Sequence, residues 1–467
     1  MRGRSTHSLL IATLLAAISA IPNLTSAQQG AFATTVQLPT FGVAVDADGL
    51  LRRQVFEDPN GSLMRQKAAA ARAVLPADLG RASELRKVSL VALERAIAQR
   101  REQGLPPDDT MAHLAGLTRI QFVFAYPERG DVVIAGPAEG WVADLAGRVR
   151  GLETGLPILR LDDLAVAMRA YPPGGQGKLF VGCTIDPTRE GLQKLSELQS
   201  QVPRVIPQRQ REEFAAQLGS RLRESLGLAQ IRVFGVPPES HFAQVLIEAD
   251  YRMKLIGIGL EPTPVKMSSY LDLLTGASAK HGTLERWWFT PNYECLRVTA
   301  DRQGFEMVGQ GVQLLTEQKR LEADGGLRDA GTANRASELF TQAFTSKYPE
   351  IAAASPVYAQ LRSMIDLTIA AAMLQRENFY AQANWQAELL RDDAAVPVAA
   401  LATPKEVDCV INALWKGNRL LAPASGGVQI QAEQALDPKL WLPDERETVA
   451  RTRGKLAPPP ADRWWWD

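Results

Sequence analysis

Short alternating runs and helical stripes succeed one another along this chain. Residues 41–45 and 50–55 are apolar-rich runs on either side of Asp48-Gly49, a pair that tolerates the positive φ of a tight turn, so a hairpin is expected there. Good helix formers fill 62–75 and 83–103, with Leu90, Leu93 and Ile97 at helical spacing before Gly104 and Pro106-Pro107. Residues 118–126 and 131–135 are β-rich around Pro127-Glu128-Arg129-Gly130, which predicts a second hairpin. The middle of the chain is the most regular. A loop at 171–175 leads to a strand at 178–184, then Asp186 and Pro187 as cap and first position of a helix presenting Leu192, Leu195 and Leu198. A second helix places Phe214, Leu218, Leu222 and Leu226 on one face and stops at Gly227. A strand at 230–236, a helix with Phe242, Val245, Leu246 and Ala249 inward, and a strand at 253–260 complete the unit.

Strands alternating with helices predict an α/β arrangement with neighbouring parallel strands. Beyond it the pattern returns to β, with strands at 287–289 and 294–300 and a hairpin of 305–308 with 312–315 around Gly309-Gln310-Gly311. A helix from Ser355-Pro356 carries Val357, Leu361, Met364, Ile365, Thr368 and Ala372 on one face, and 407–415 and 427–431 read as late strands. The expected fold is mixed α/β and α+β: a central α/β unit with a partly parallel sheet, followed by an α+β C-terminal region. The expected division is a signal peptide at 1–27, a hairpin and helical region at 28–117, an α/β domain at 118–265, an α+β domain at 266–455, and a Pro/Trp-rich tail at 456–467.

The first segment sets the compartment. Arg2 and Arg4, an apolar run from Leu9 to Ile21 and the small residues Thr25-Ser26-Ala27 predict a cleaved secretory signal, hence a periplasmic or extracellular protein. No later stretch has the ~18 continuous apolar residues that a membrane helix needs, so no transmembrane helix is expected after signal removal. The 467 residues carry 52 Lys+Arg against 52 Asp+Glu, a balance that gives no reason to expect nucleic acid as a partner. Three widely spaced cysteines, Cys183, Cys295 and Cys409, allow three buried thiols or one disulfide, for instance Cys183 with Cys295.

The stretches GCTIDPTREGLQ, VFGVPPESHFAQVLIEADYRMKLIGIGLEP, RWWFTPNYECLRV and SPVYAQLRSMIDL resemble an uncharacterised family of exported planctomycete proteins known as a domain of unknown function. The resemblance implies export and a planctomycete origin. It implies no reaction and no site residues.

Candidate chemistry is sparse. Gly174-Gly175-Gln176-Gly177-Lys178 fails as a phosphate loop, since Pro172 stands at the first glycine position and Leu179 where magnesium needs Ser or Thr. No HExxH or CxxC accompanies His113, His241 and His281, so neither metal nor cofactor is expected. An enzyme reading places Cys183 and Asp186 at one strand end and His241 after the next, a thiol and an imidazole that neighbouring strands can bring together. A binding reading uses Trp287, Trp288 and Tyr293 as a platform for sugar or peptide, although alternation sends the two tryptophans to opposite faces. Trp464, Trp465 and Trp466 either dock on the chain's own body or meet a partner. Asp250 to Lys254 reads as charges at a helix-to-strand transition, with Arg252 and Lys254 favoured at a helix C-terminus. The sequence therefore favours an exported binding or scaffolding protein of the cell envelope, with an unknown envelope protein or small molecule as partner; the alternative is an envelope hydrolase using the Cys/His site.

Overall fold

Gly49, at φ 81°, turns the chain between β1 (Thr40–Val45) and β2 (Leu50–Phe56), which pair antiparallel as the local pattern requires. The computed structural model describes residues 40–201, 207–275, 283–331, 334–412 and 424–467; the 1–27 segment and His281 lie outside them. The further strands are β3 (Ser83–Ser89), β4 (Phe122–Tyr126), β5 (Asp131–Ala138), β6 (Trp141–Ala143), β7 (Val149–Gly151), β8 (Val181–Pro187) and β9 (Leu228–Phe234). After them come β10 (Thr283–Pro291), β11 (Leu296–Val298), β12 (Gly304–Met307), β13 (Val312–Leu321), β14 (Leu327–Asp329), β15 (Glu406–Asp408), β16 (Ala424–Ile430), β17 (Leu442–Pro443) and β18 (Trp465–Trp466).

Two mixed sheets hold all but β6 and β7. The larger has nine strands in the order β1-β2-β15-β9-β8-β16-β10-β13-β14, and the smaller has seven, β17-β11-β12-β4-β5-β3-β18. Parallel pairs occur at β10 with β16, β2 with β15 and β11 with β17, so the fold is mixed α/β. The larger sheet draws strands from 40–56, 181–234, 283–329 and 406–430, so three of the four segments delimited after the signal contribute to it.

Several local expectations need correction. β8 and β9 are antiparallel, because the chain between them goes out and back through two helices, Arg189–Gln201 and Arg211–Leu226, and re-enters the sheet at the end it left. Residues 83–89 are a strand despite their helix formers, since pairing with β5 buries Arg86 and Val88; the helix starts at Leu90, capped by Ser89 Oγ accepting from Ala92 N. Asp186 and Pro187 still belong to β8, and Thr188 Oγ1 supplies the cap by accepting from Gly191 N at 3.0 Å. Residues 253–257 continue the His241–Gly257 helix, whose sides are buried almost all round. β12 and β13 form no hairpin: Gly309 and Gly311, both at positive φ, carry the chain from one sheet to the other. The late strand expected at 407–415 is limited to β15 among the described residues.

One buried cluster links the sheets. It runs from Val123 and Ile134 of the smaller sheet through Leu361 and Ile365 of the Pro356–Arg376 helix to Trp287 and Phe289 of the larger. Among the described residues no helix is long and apolar enough to cross a membrane.

Candidate functional site

β10 reads Arg286-Trp287-Trp288-Phe289-Thr290, and its alternation divides two environments. Trp287 and Phe289 face the helices. Trp287 is fully buried, donates Nε1–H to Ser337 Oγ at 2.6 Å, and packs so closely on Gly257 that a Cβ there would lie 2.5 Å from the indole. Trp287 is core, and it takes no part in a platform.

The opposite face is open. Strand register sets one row of side chains across it: Leu315 on β13 opposite Trp288, Trp288 beside Gly427 on β16, Gly427 opposite Thr184 on β8, and Thr184 opposite Arg232 on β9. Gly427 contributes no side chain to the row, and a Cβ there would fall 2.0 Å from Cys183 O. Gly426, one residue earlier, is the tightest point of the sheet: its φ is 134°, and a Cβ would fall 1.8 Å from Trp287 O. At one end of the row a groove of about 330 Å³ is lined by Trp288, Thr290, Tyr293, Leu315, Glu317 and the amides of Gln429, Gln431 and Gln434. At the other a hollow of about 340 Å³ is lined by Asp186 to Glu190 with Gln230 and Arg232.

Arg286 joins the two. Its Nη1 contacts Glu317 Oε1 at 3.0 Å, its Nη2 reaches Asp186 Oδ1 at 3.3 Å across β16, and its guanidinium lies 4.5 Å from the Trp288 ring centroid. Lys319 Nζ lies 3.1 Å from Glu317 Oε2, so the two cations and two carboxylates of this row balance. Thr290 Oγ1 donates to Tyr293 Oη at 3.1 Å, and burial pushes the Tyr293 phenol above its ordinary value. Of the three aromatics expected to form a platform, Trp288 and Tyr293 share one groove and Trp287 does not, and Asp186 joins that face rather than a catalytic site.

Cys183 and His241 are not brought together. Cys183 is fully buried on the helix side of β8, where burial, and then Asp250, hold its thiol well above the ordinary value. Asp250 and Lys254 are its charged neighbours, nine and thirteen residues along the helix that His241 opens, a rise of ~14–20 Å. His241 instead meets Asp163 Oδ2 through Nδ1 at 2.8 Å and Gln360 Nε2 through Nε2 at 3.2 Å. Gln360 Oε1 accepts from Arg148, which pairs with Glu248, and Glu248 with Arg252, which is bound to Glu261. This chain of polar contacts packs the helices against one another. Cys183, Cys295 and Cys409 are all free and buried, so the disulfide option is not realised.

The Asp250 to Lys254 run lies near the C-terminal end of the His241–Gly257 helix, with Lys254 in the last turn as expected, but it is interior and no strand follows from 253. Lys254 Nζ donates to Asp250 Oδ2 at 2.6 Å and to Ile185 O at 3.1 Å, with both side chains fully buried. Burial raises the Asp250 carboxyl to about 6 against the opposing pull of Lys254, and Oδ1 has no hydrogen-bond partner.

The terminal tryptophans dock on the chain itself. Trp465 and Trp466 pair as β18 with Val88 and Lys87, and Ser89 N donates to Trp464 O at 2.9 Å. Beneath them the fully buried Arg86 binds Asp467 Oδ1 at 2.8 Å and Ala115 O at 2.7 Å, 4.8 Å from the Trp465 ring. Trp464 and Trp465 are buried by this contact, whereas Trp466 is only partly covered.

Sequence reasoning missed Gln429, Gln431, Gln434 and Arg232, because strand neighbours far apart in the chain leave no local signal. Among the described residues no group of three or more His, Cys, Asp or Glu is placed to hold a metal ion. No curated protein and no solved structure matches the chain. Residues 183–270, spanning β8 from Cys183 through β9 and the His241–Gly257 helix, match a family model described as a protein of unknown function (DUF1598).

Proposed function

We propose that this chain is a binding protein of the cell envelope, exported behind residues 1–27, and that the open face of its larger sheet is its recognition surface. One observation carries the reading: a partly exposed indole and phenol, Trp288 and Tyr293, stand in a shallow groove with three glutamine amides while the neighbouring tryptophan is consumed by the core. In the groove the hydroxyls of Thr290 and Tyr293 are bonded to each other with no histidine or cysteine in the lining, and its carboxylate, Glu317, is engaged by Arg286 and Lys319. Binding without bond-breaking is the chemistry such a surface supports. The hydrolase alternative loses its support from the separation of Cys183 and His241.

Retention of the mature protein on its own isolated envelope material tests this. Wild type is expected to be retained saturably, and Trp288→Ala about ten-fold less, a loss of ~1.4 kcal/mol. Equal retention of the two proteins would remove the surface from consideration. Loss of export on deleting residues 1–27 is the companion expectation.

A further inference from the structure

We infer that the ligand is a linear, uncharged glycan lying across the strands, from the Trp288 groove over Gly427 and Thr184 to the hollow at Gln230 and Arg232. This rests on the binding role proposed above and specifies its chemistry. Four features of the face point to it.

The backbone of β10, β16 and β8 is paired on both sides, so a peptide cannot add there as a strand; only side chains are on offer. The ionic groups around Trp288 already have partners. Asp186 and Glu317 hold Arg286, and Asp324 holds Arg189 at 2.5 Å, while Arg232 Nη2 donates to the neutral Gln230 Oε1 at 2.8 Å. A charged ligand at the Trp288 end would have to break those pairs. Among the further polar groups are amides and hydroxyls, Gln429, Gln431, Gln434, Thr290 and Thr184, which both donate and accept, as sugar hydroxyls do. The Trp288 ring supplies the stacking surface for the apolar face of a pyranose, and the stack of Arg286 fixes its position.

Length follows from register. The row from Leu315 to Arg232 crosses five strands, and four spacings of ~4.8 Å give ~19 Å, enough for a short oligosaccharide and too long for a single sugar.

Calorimetric titration of the mature protein with neutral oligosaccharide ladders, α- and β-linked and from one to six units, is the test. Affinity should rise with length until the chain spans both hollows. Trp288→Ala should weaken every length about ten-fold, with Trp288→Phe restoring most of it. Arg232→Ala, at an exposed position, should weaken only the longer members, by about three- to ten-fold. Affinity that levels off at the disaccharide with Arg232→Ala silent, or no binding across the ladders, overturns the inference. If envelope retention still depends on Trp288 while no neutral oligosaccharide competes for it, the glycan assignment fails and the binding role stands; if retention ignores Trp288, the binding role itself fails.

Discussion

Replacing Lys254 with Met isolates the energetics of the buried pair beneath the larger sheet. The substitution keeps the volume and length of the side chain but leaves Asp250 without its cation in a site where both groups are fully buried. Removing one partner of a buried ion pair costs ~3–5 kcal/mol, because the other charge is stranded in a medium that solvates it poorly. Spread over some 400 residues at ~2 cal/mol/K each, that corresponds to a fall in Tm of ~4–6 °C. The loss should depend on pH. Asp250 titrates at about 6 in the folded chain against 3.8 when unperturbed. Its neutral form is therefore the one that folding favours: the stability tied to it is complete below about 4 and is lost as pH rises through about 6. Without Lys254 the carboxyl rises further, so at pH 5 it is neutral in the variant and the cost of the substitution shrinks. Differential scanning fluorimetry at pH 5 and 7.5 on wild type, Lys254→Met and the Lys254→Met/Asp250→Asn double variant measures this. The double variant should recover most of the loss at pH 7.5, since no charge is left behind. A Lys254→Met penalty below ~1 kcal/mol, or one of equal size at both pH values, would refute the argument from desolvation.

Gly426→Ala should be severely destabilising, seen as lost soluble expression or a large fall in Tm, because its Cβ meets Trp287 O at 1.8 Å; Gly80→Ala, where nothing lies within 4 Å, should change Tm little. Trp465→Ala should cost ~3–5 kcal/mol and open the 456–463 segment to protease, since it uncovers the buried Arg86 and removes the ring stacked on it; unchanged cleavage would contradict the docked tail. Cys183, Cys295 and Cys409 should resist a thiol reagent at pH 8 in the native protein and react together on unfolding, because all three are buried and burial raises each thiol, Cys295 and Cys409 to about 12. Rapid native labelling of Cys183 would restore it as a site.

What could be read from the chain was what its local chemistry determines. Asp48-Gly49 and 127–130 announced their hairpins because turn residues act over four positions, and the stripe from Phe214 to Leu226 announced its helix because 3.6-residue spacing is internal to it. The 83–89 strand was hidden by helix formers, since its reason for being extended is β5, some fifty residues on. The Asp250 to Lys254 run misled because charge normally signals solvent, whereas here the i,i+4 pair satisfies itself inside the protein. For the site, alternation along β10 separated Trp287 from Trp288 correctly. The glutamines that complete the groove come from residues 429–434, and only the parallel register of β16 with β10 sets them beside Trp288.

The position of β16 has a consequence for how the molecule is made. It is supplied by residues 424–430 and sits between β8 and β10, near the middle of the nine-stranded order, with β15 from 406–408 similarly inserted between β2 and β9. Until the ribosome has released that late stretch, β8 and β10 each present an unsatisfied edge, and the sheet exists only as separate pieces. Closure must therefore wait for contacts between distant parts of the chain, which is slow and leaves the nascent protein open to misassociation. A sheet whose sixth strand comes from residues 424–430 cannot be completed by any of the segments that precede it.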